Sequence, residues 1–164
     1  IAIYNSLKQH KAKITVQIDA MAISIATIIA MAGDTVTMAA NGLFMIHDPS
    51  ALCIGTSEDM RKEADVMDKM KTLMVETYAK RAKLSADELS AAMKAETWYT
   101  AAEAMAAGFV DSITAASGAT AHLDPQKYHY RNAPVIVAHK DPVIPARIIS
   151  LENYRRKLEL AEFA

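Results

Sequence analysis

The sequence predicts an α/β fold around a largely buried sheet, on three observations. Strand-like and helix-like segments alternate between Ile14 and His47, as strand–helix–strand units do. Apolar residues make up 52% of the 164, enough for one domain with a real core. Three Ser/Thr-x-x-acid sequences, starting at Thr56, Ser85 and Thr100, stand just ahead of helical patterns.

The elements follow in order. Ile1, Tyr4 and Leu7 share one helical face, and Lys8, His10 and Lys11 lie near its end, where they complement the dipole. No capping residue precedes Ile1, so the true N-terminus is expected upstream. Ile14-Thr-Val-Gln-Ile18 alternates as a half-buried strand does, and Asp19 and Ala20 turn the chain. Ala22 to Ala32 reads as a buried helix ended by Gly33 at the C′ position. Thr35 to Ala39 is a second strand, Asn41-Gly42 a tight turn, and Leu43 to His47 a third strand stopped by Asp48-Pro49. A long helix runs from Thr56 to about Arg81, with Met60, Ala64, Met67, Met70, Met74 and Tyr78 as its apolar stripe. That stripe is expected to serve as core or partner contact, because methionine packs adaptably. Ser85 opens a short helix to about Lys94, Thr100 opens another ended by Gly108, and Phe109 to Ile113 is a short strand.

The rest changes character. Four of the five prolines, Pro125, Pro134, Pro142 and Pro145, fall close together, so this stretch is expected to be extended or irregular. Val135-Ile-Val137 is its best strand candidate, and Ser150 could cap a last helix carrying Leu151, Tyr154, Leu158 and Ala161. The expected organisation is a domain over 1–116 and a Pro-rich extension over 117–164.

Charge and composition exclude several functions. The near-neutral balance of 18 basic and 19 acidic residues argues against a nucleic-acid grip or a membrane-surface patch. The apolar run from Ala20 to Ala32 is shorter than the roughly 20 residues a membrane span needs, and it is internal. A single cysteine rules out an internal disulfide framework and fits a reducing cytoplasm. No histidine pair has metal-binding helical spacing with a third ligand, so no zinc and no other cofactor is expected.

Two residues could carry chemistry. Ser24 is expected just inside the N-terminus of an apolar helix, after a strand and a two- to four-residue turn, where backbone N–H groups could stabilise an oxyanion. Serines so placed more commonly bond only their own backbone, and a serine nucleophile needs an adjacent base. His47 ends an apolar strand, where a catalytic residue of a neighbouring strand could reach it. A carboxylate must then orient the imidazole, and spacing does not choose among Asp19, Asp34, Asp48, Glu96 and Asp111. Cys53 has no histidine near it in sequence to activate a thiol.

These residues converge on a resemblance. Ile18-Asp-Ala-Met-Ala-Ile-Ser24 through Gly33 resembles the nucleophile segment of ClpP-like serine proteases, and Met45-Ile-His47-Asp-Pro49 their catalytic-histidine strand. Glu96-Thr-Trp-Tyr-Thr-Ala-Ala-Glu-Ala104 through Ile113 resembles their acid-bearing turn, following helix and closing strand. Ile3-Tyr-Asn-Ser-Leu-Lys-Gln9 and Ala95-Glu-Thr-Trp-Tyr99 look most like the phage head-maturation, or prohead protease, branch.

The resemblance implies Ser24 as nucleophile, His47 as general base, Glu96 in the place of the triad acid, and the Ile25 backbone N–H as an oxyanion donor. It implies a crotonase-like spiral of βαβ units, with the long helix as a handle joining stacked rings of subunits. The implied activity is a serine endopeptidase acting on phage capsid or scaffold protein, in the bacterial cytoplasm or the prohead. Two alternatives are a catalytically silent ring-forming scaffold subunit and a crotonase-type acyl-CoA enzyme. Three departures stand out. Ala20 replaces a common Gly, Glu96 replaces the usual Asp, and no Gly-Gly pair exists to supply the family's other oxyanion donor. The fold's first strands are therefore expected to be missing from this sequence. A protein that truly begins at Ile1 is expected to lose about 10²- to 10³-fold in activity.

Overall fold

A computed structural model describes residues 1–119 and 130–134, and a compact unit spans Ile1–Pro134. The expected strand at Val135–Val137 and the helix after Ser150 lie outside the described residues. The architecture is mixed α/β with two three-stranded sheets. The elements run α1 (Ala2–Lys8), β1 (Thr15–Ile18), β2 (Met21–Ile23), α2 (Ile25–Ala30), β3 (Thr35–Ala39) and β4 (Leu43–Ile46). They continue as α3 (Ser57–Ala79), α4 (Ala86–Lys94), β5 (Thr97–Thr100), α5 (Ala101–Ala106) and β6 (Ser112–Thr114).

Each pass of the chain gives one strand to each sheet. β1 lies in the first sheet, the Asp19-Ala20 turn carries the chain to β2 in the second, and α2 returns it to β3 beside β1. Asn41-Gly42 then repeats the transfer, so this turn links two sheets and makes no hairpin. The first sheet has the order β1–β3–β6, all parallel, and the second β2–β4–β5, with β2 parallel and β5 antiparallel to β4. This spiral of strand–helix–strand units is the predicted fold class.

Burial explains why these segments became strands. Phe44, Met45 and Ile46 are wholly enclosed, so β4 is covered on both faces and reads as an unbroken apolar run. Phe44 stacks on Phe109 with centroids 4.9 Å apart, and Tyr78 and Tyr99 meet the same Phe109 ring edge-on. Removing such a ring, as in Phe44→Ala, typically costs about 3–5 kcal/mol.

All three capping boxes form. The hydroxyls of Thr56, Ser85 and Thr100 each accept the N–H of the residue three ahead, and Asp59, Glu88 and Glu103 reciprocate. In α3 only Met74, Thr77 and Tyr78 are buried. Met60 and Met70 of the expected stripe are exposed, together with Val66 and Leu73. The C-terminal end of α3 is tied to the first sheet by Arg81, which bonds the carbonyls of Gly33 and Phe109 and pairs with Asp111.

Several boundaries differ from expectation. The apolar run after Ala20 divides into β2 and a shorter α2, because Met21–Ile23 pairs with Leu43–Met45 before the helix begins. Gly33 is not a left-handed cap. It leaves room where a Cβ would meet the Thr35 carbonyl oxygen at 2.9 Å and Val16 Cγ2 at 3.0 Å. Gly108 is the glycine that needs positive φ, at +85° just beyond α5. Thr97–Thr100, unassigned in the sequence, is β5, and the last strand begins at Ser112 rather than Phe109, whose ring fills the core.

Candidate active site

The second sheet brings the three predicted site residues to one edge. Parallel β2 and β4 end at the same edge, so Ser24 follows Ile23 there and His47 follows Ile46. Antiparallel β5 starts at that edge, with Ile46 opposite Thr97, so Glu96 is the next residue across from His47. Backbone bonds secure both neighbours: Ser24 N–H donates to Met45 O at 3.0 Å, and Asp48 N–H to Met93 O at 3.1 Å.

Ser24 joins β2 to α2 at φ +57° and ψ −125°, a conformation that side-chain-bearing residues rarely adopt. It precedes the helix rather than standing inside it. That strand–turn–helix elbow presents Oγ to His47 Nε2 at 2.7 Å. Its carbonyl oxygen accepts the Thr27 N–H at 2.9 Å and the Thr27 hydroxyl at 2.5 Å. Ile25, half exposed, is the first residue of α2, and its N–H has no partner within the helix.

His47 is held below the ordinary histidine pKa. Burial is the main cause; the negative charges of Glu96 and Asp48 oppose it, and Arg131 assists it. A largely neutral imidazole at neutral pH can therefore accept a proton from Ser24.

Glu96 is 4% exposed and also has positive φ, +52°. Its carboxylate does not hydrogen-bond His47. Oε2 accepts the Arg131 N–H at 2.9 Å, and Oε1 accepts the Asn132 N–H at 2.7 Å and Trp98 Nε1–H at 3.3 Å. Burial raises its pKa, but these donors and the Arg131 guanidinium outweigh burial and hold it below the usual range. Tyr130 packs edge-on against both His47 and Trp98. No sequence signal pointed to residues 130–132, because their contribution to the site is made largely by backbone groups and a fold-dependent ring contact.

The other carboxylates that spacing left open are engaged elsewhere. Asp19 accepts from Gln17, Asp34 from the Ile14 N–H, and Asp111 from the Val36 N–H and Arg81. Asp48 pairs with Lys71 at 2.9 Å. Among the described residues, no group of three or more His, Cys, Asp or Glu is placed to hold a metal, and no helix is long and apolar enough to cross a membrane.

The sequence profile described as "Clp protease" matches residues 1–117, which include Ser24, His47, Glu96 and every helix and strand named above. The chain belongs to the Clp protease family. Among curated members of the family, it is similar to an "ATP-dependent Clp protease proteolytic subunit" of Deinococcus radiodurans. Identity is 29% over 115 residues, covering 69% of this chain and 56% of that protein. It is also similar to an "ATP-dependent Clp protease proteolytic subunit 1" of Leifsonia xyli subsp. xyli, 32% identical over 73 residues, covering 44% of this chain and 37% of the relative. The chain thus spans about half the length, or less, of these relatives.

Proposed function

We propose that this chain carries the reactive centre of a serine peptidase of the ClpP type. The observation that carries the reading is the 2.7 Å contact between Ser24 Oγ and His47 Nε2 at a strained strand-to-helix elbow. In the proposed reaction, Ser24 Oγ attacks the peptide carbonyl carbon as its proton passes to His47 Nε2. The carbonyl π-electrons move to oxygen, where the Ile25 N–H would donate. Collapse breaks the C–N bond, and His47 gives its proton to the departing amine. Water then attacks the acyl ester, His47 takes its proton, and Ser24 leaves protonated. The negative charge of Glu96 favours the imidazolium that forms twice in this cycle.

The proposed substrate is phage capsid or scaffold protein, which rests on the wording of Ile3–Gln9 and Ala95–Tyr99. The proposed place of action is the bacterial cytoplasm or the prohead. Assembly into stacked rings through α3 is part of the proposal, and the exposed Met60, Val66, Met70 and Leu73 support it.

A fluorophosphonate probe followed by peptide mass spectrometry tests the reading. Labelling at Ser24 that vanishes in Ser24→Ala is the expected result. Labelling at another residue overturns the assignment, and no labelling of the intact protein favours a silent scaffold subunit.

A further inference from the structure

Residues 130–132 lie beyond the part of the chain that matches the family, yet they close over Glu96. Two consecutive backbone N–H groups, of Arg131 and Asn132, reach its two carboxylate oxygens. The same two residues grip the end of α4: Asn132 Nδ2 donates to Ala95 O at 2.7 Å and Arg131 Nη2 to Lys94 O at 3.1 Å. Those carbonyls are among the acceptors that a helix C-terminus leaves without intrahelical partners. Five contacts thus run from these three residues to Lys94, Ala95, Glu96 and His47, counting the Tyr130 ring on His47.

We infer that Tyr130–Asn132 is a positioning clamp for Glu96, which fixes the carboxylate of the residue that lies across the sheet edge from His47. The inference rests on the peptidase reading above. A glutamate has one more rotatable bond than the aspartate usual at this place, so its carboxylate needs an external hold to stay in one orientation. Paired N–H donors supply that hold without competing for charge, since each carboxylate oxygen has two acceptor sites. Oε1 has two donors, from Asn132 and Trp98. Oε2 has one among the described residues, from Arg131. The chain outside the matched region therefore completes the site that the matched region begins.

Proline substitution tests the clamp, because it deletes the backbone N–H itself, and the matching alanine variants, which lose only the side-chain contacts, are its reference. Arg131 and Asn132 are both exposed, so proline there disturbs no core packing. In the full chain, Asn132→Pro is expected to lower the maximal rate of fluorophosphonate labelling at Ser24 by about ten- to a hundredfold, the size of a lost hydrogen bond to a charged group. The probe concentration at half-maximal rate should stay unchanged, whereas a merely structural distortion of the cleft would move it. In a Glu96→Ala background the same proline should add nothing. Should Asn132→Pro lose its thermal transition, Arg131→Pro makes the same comparison through Oε2. Proline variants that label at the unsubstituted rate, or whose effect persists without Glu96, overturn the clamp while Ser24 remains the labelled residue. An unsubstituted chain that is not labelled at Ser24 overturns the peptidase reading, and the clamp with it.

Discussion

The hydroxyls of Thr27 and Tyr78 meet 2.6 Å apart in the core, although 51 positions separate them in sequence. Both residues are wholly buried. Thr27 has one hydroxyl hydrogen, and the Ser24 carbonyl, which can only accept, takes it at 2.5 Å. Tyr78 must then be the donor to Thr27. The long helix thus reaches the backbone of the candidate nucleophile through two hydroxyls.

This relay predicts an asymmetric response to substitution. Thr27→Val keeps the volume but leaves the Tyr78 hydroxyl buried without a partner, a loss of about 1–3 kcal/mol. Tyr78→Phe leaves Thr27 still bonded to Ser24 and should cost less. The double variant should be more stable than Thr27→Val alone, because no buried hydroxyl is then orphaned. Urea unfolding of the three variants checks the order, and additive losses would contradict the relay.

Ser24 holds strain that glycine would release. At φ +57°, Ser24→Gly should be more stable than Ser24→Ala by about 1–3 kcal/mol. Both variants should lose probe labelling. Equal unfolding free energies for the pair would show that the elbow is unstrained.

The pH dependence of labelling should report His47. Its pKa lies below the ordinary histidine value, and the neutral form is the base. The rate should therefore fall on acidification with a midpoint below about 6.5. Glu96 raises the His47 pKa, because its negative charge favours the imidazolium. Glu96→Gln removes that charge, so the midpoint should move to lower pH while the plateau rate falls. A midpoint that moves upward would mean that Glu96 does not act on His47 electrostatically.

Arg81 should be a stability residue and not a reactive one. Its side chain, 16% exposed, serves two carbonyls and the Asp111 carboxylate. Arg81→Ala should lower the unfolding free energy by about 1–3 kcal/mol, with labelling of the remaining folded protein unchanged. Differential scanning calorimetry beside the labelling assay separates the two effects.

The sequence by itself determined the α/β class, the three boxed helices and the Ser24 and His47 candidates, whereas Glu96 was singled out only by the family resemblance. Those signals are local: a capping box spans four residues, and a buried strand is a short apolar run. The tertiary structure alone decided that Ile23 pairs beside Met45 and Ile46 opposite Thr97, which sets Ser24, His47 and Glu96 at one sheet edge. β5 was not recognisable in Thr97–Thr100 because its residues are half-covered by neighbours distant in sequence, with no alternation of their own. Asp19, Asp34, Asp48 and Asp111 were as plausible as Glu96 until folding gave each a partner away from the imidazole. Backbone donors such as those of Arg131 and Asn132 leave no mark in residue type, because every residue but proline carries the same N–H. Their aim is set only when the folded chain brings them to the carboxylate.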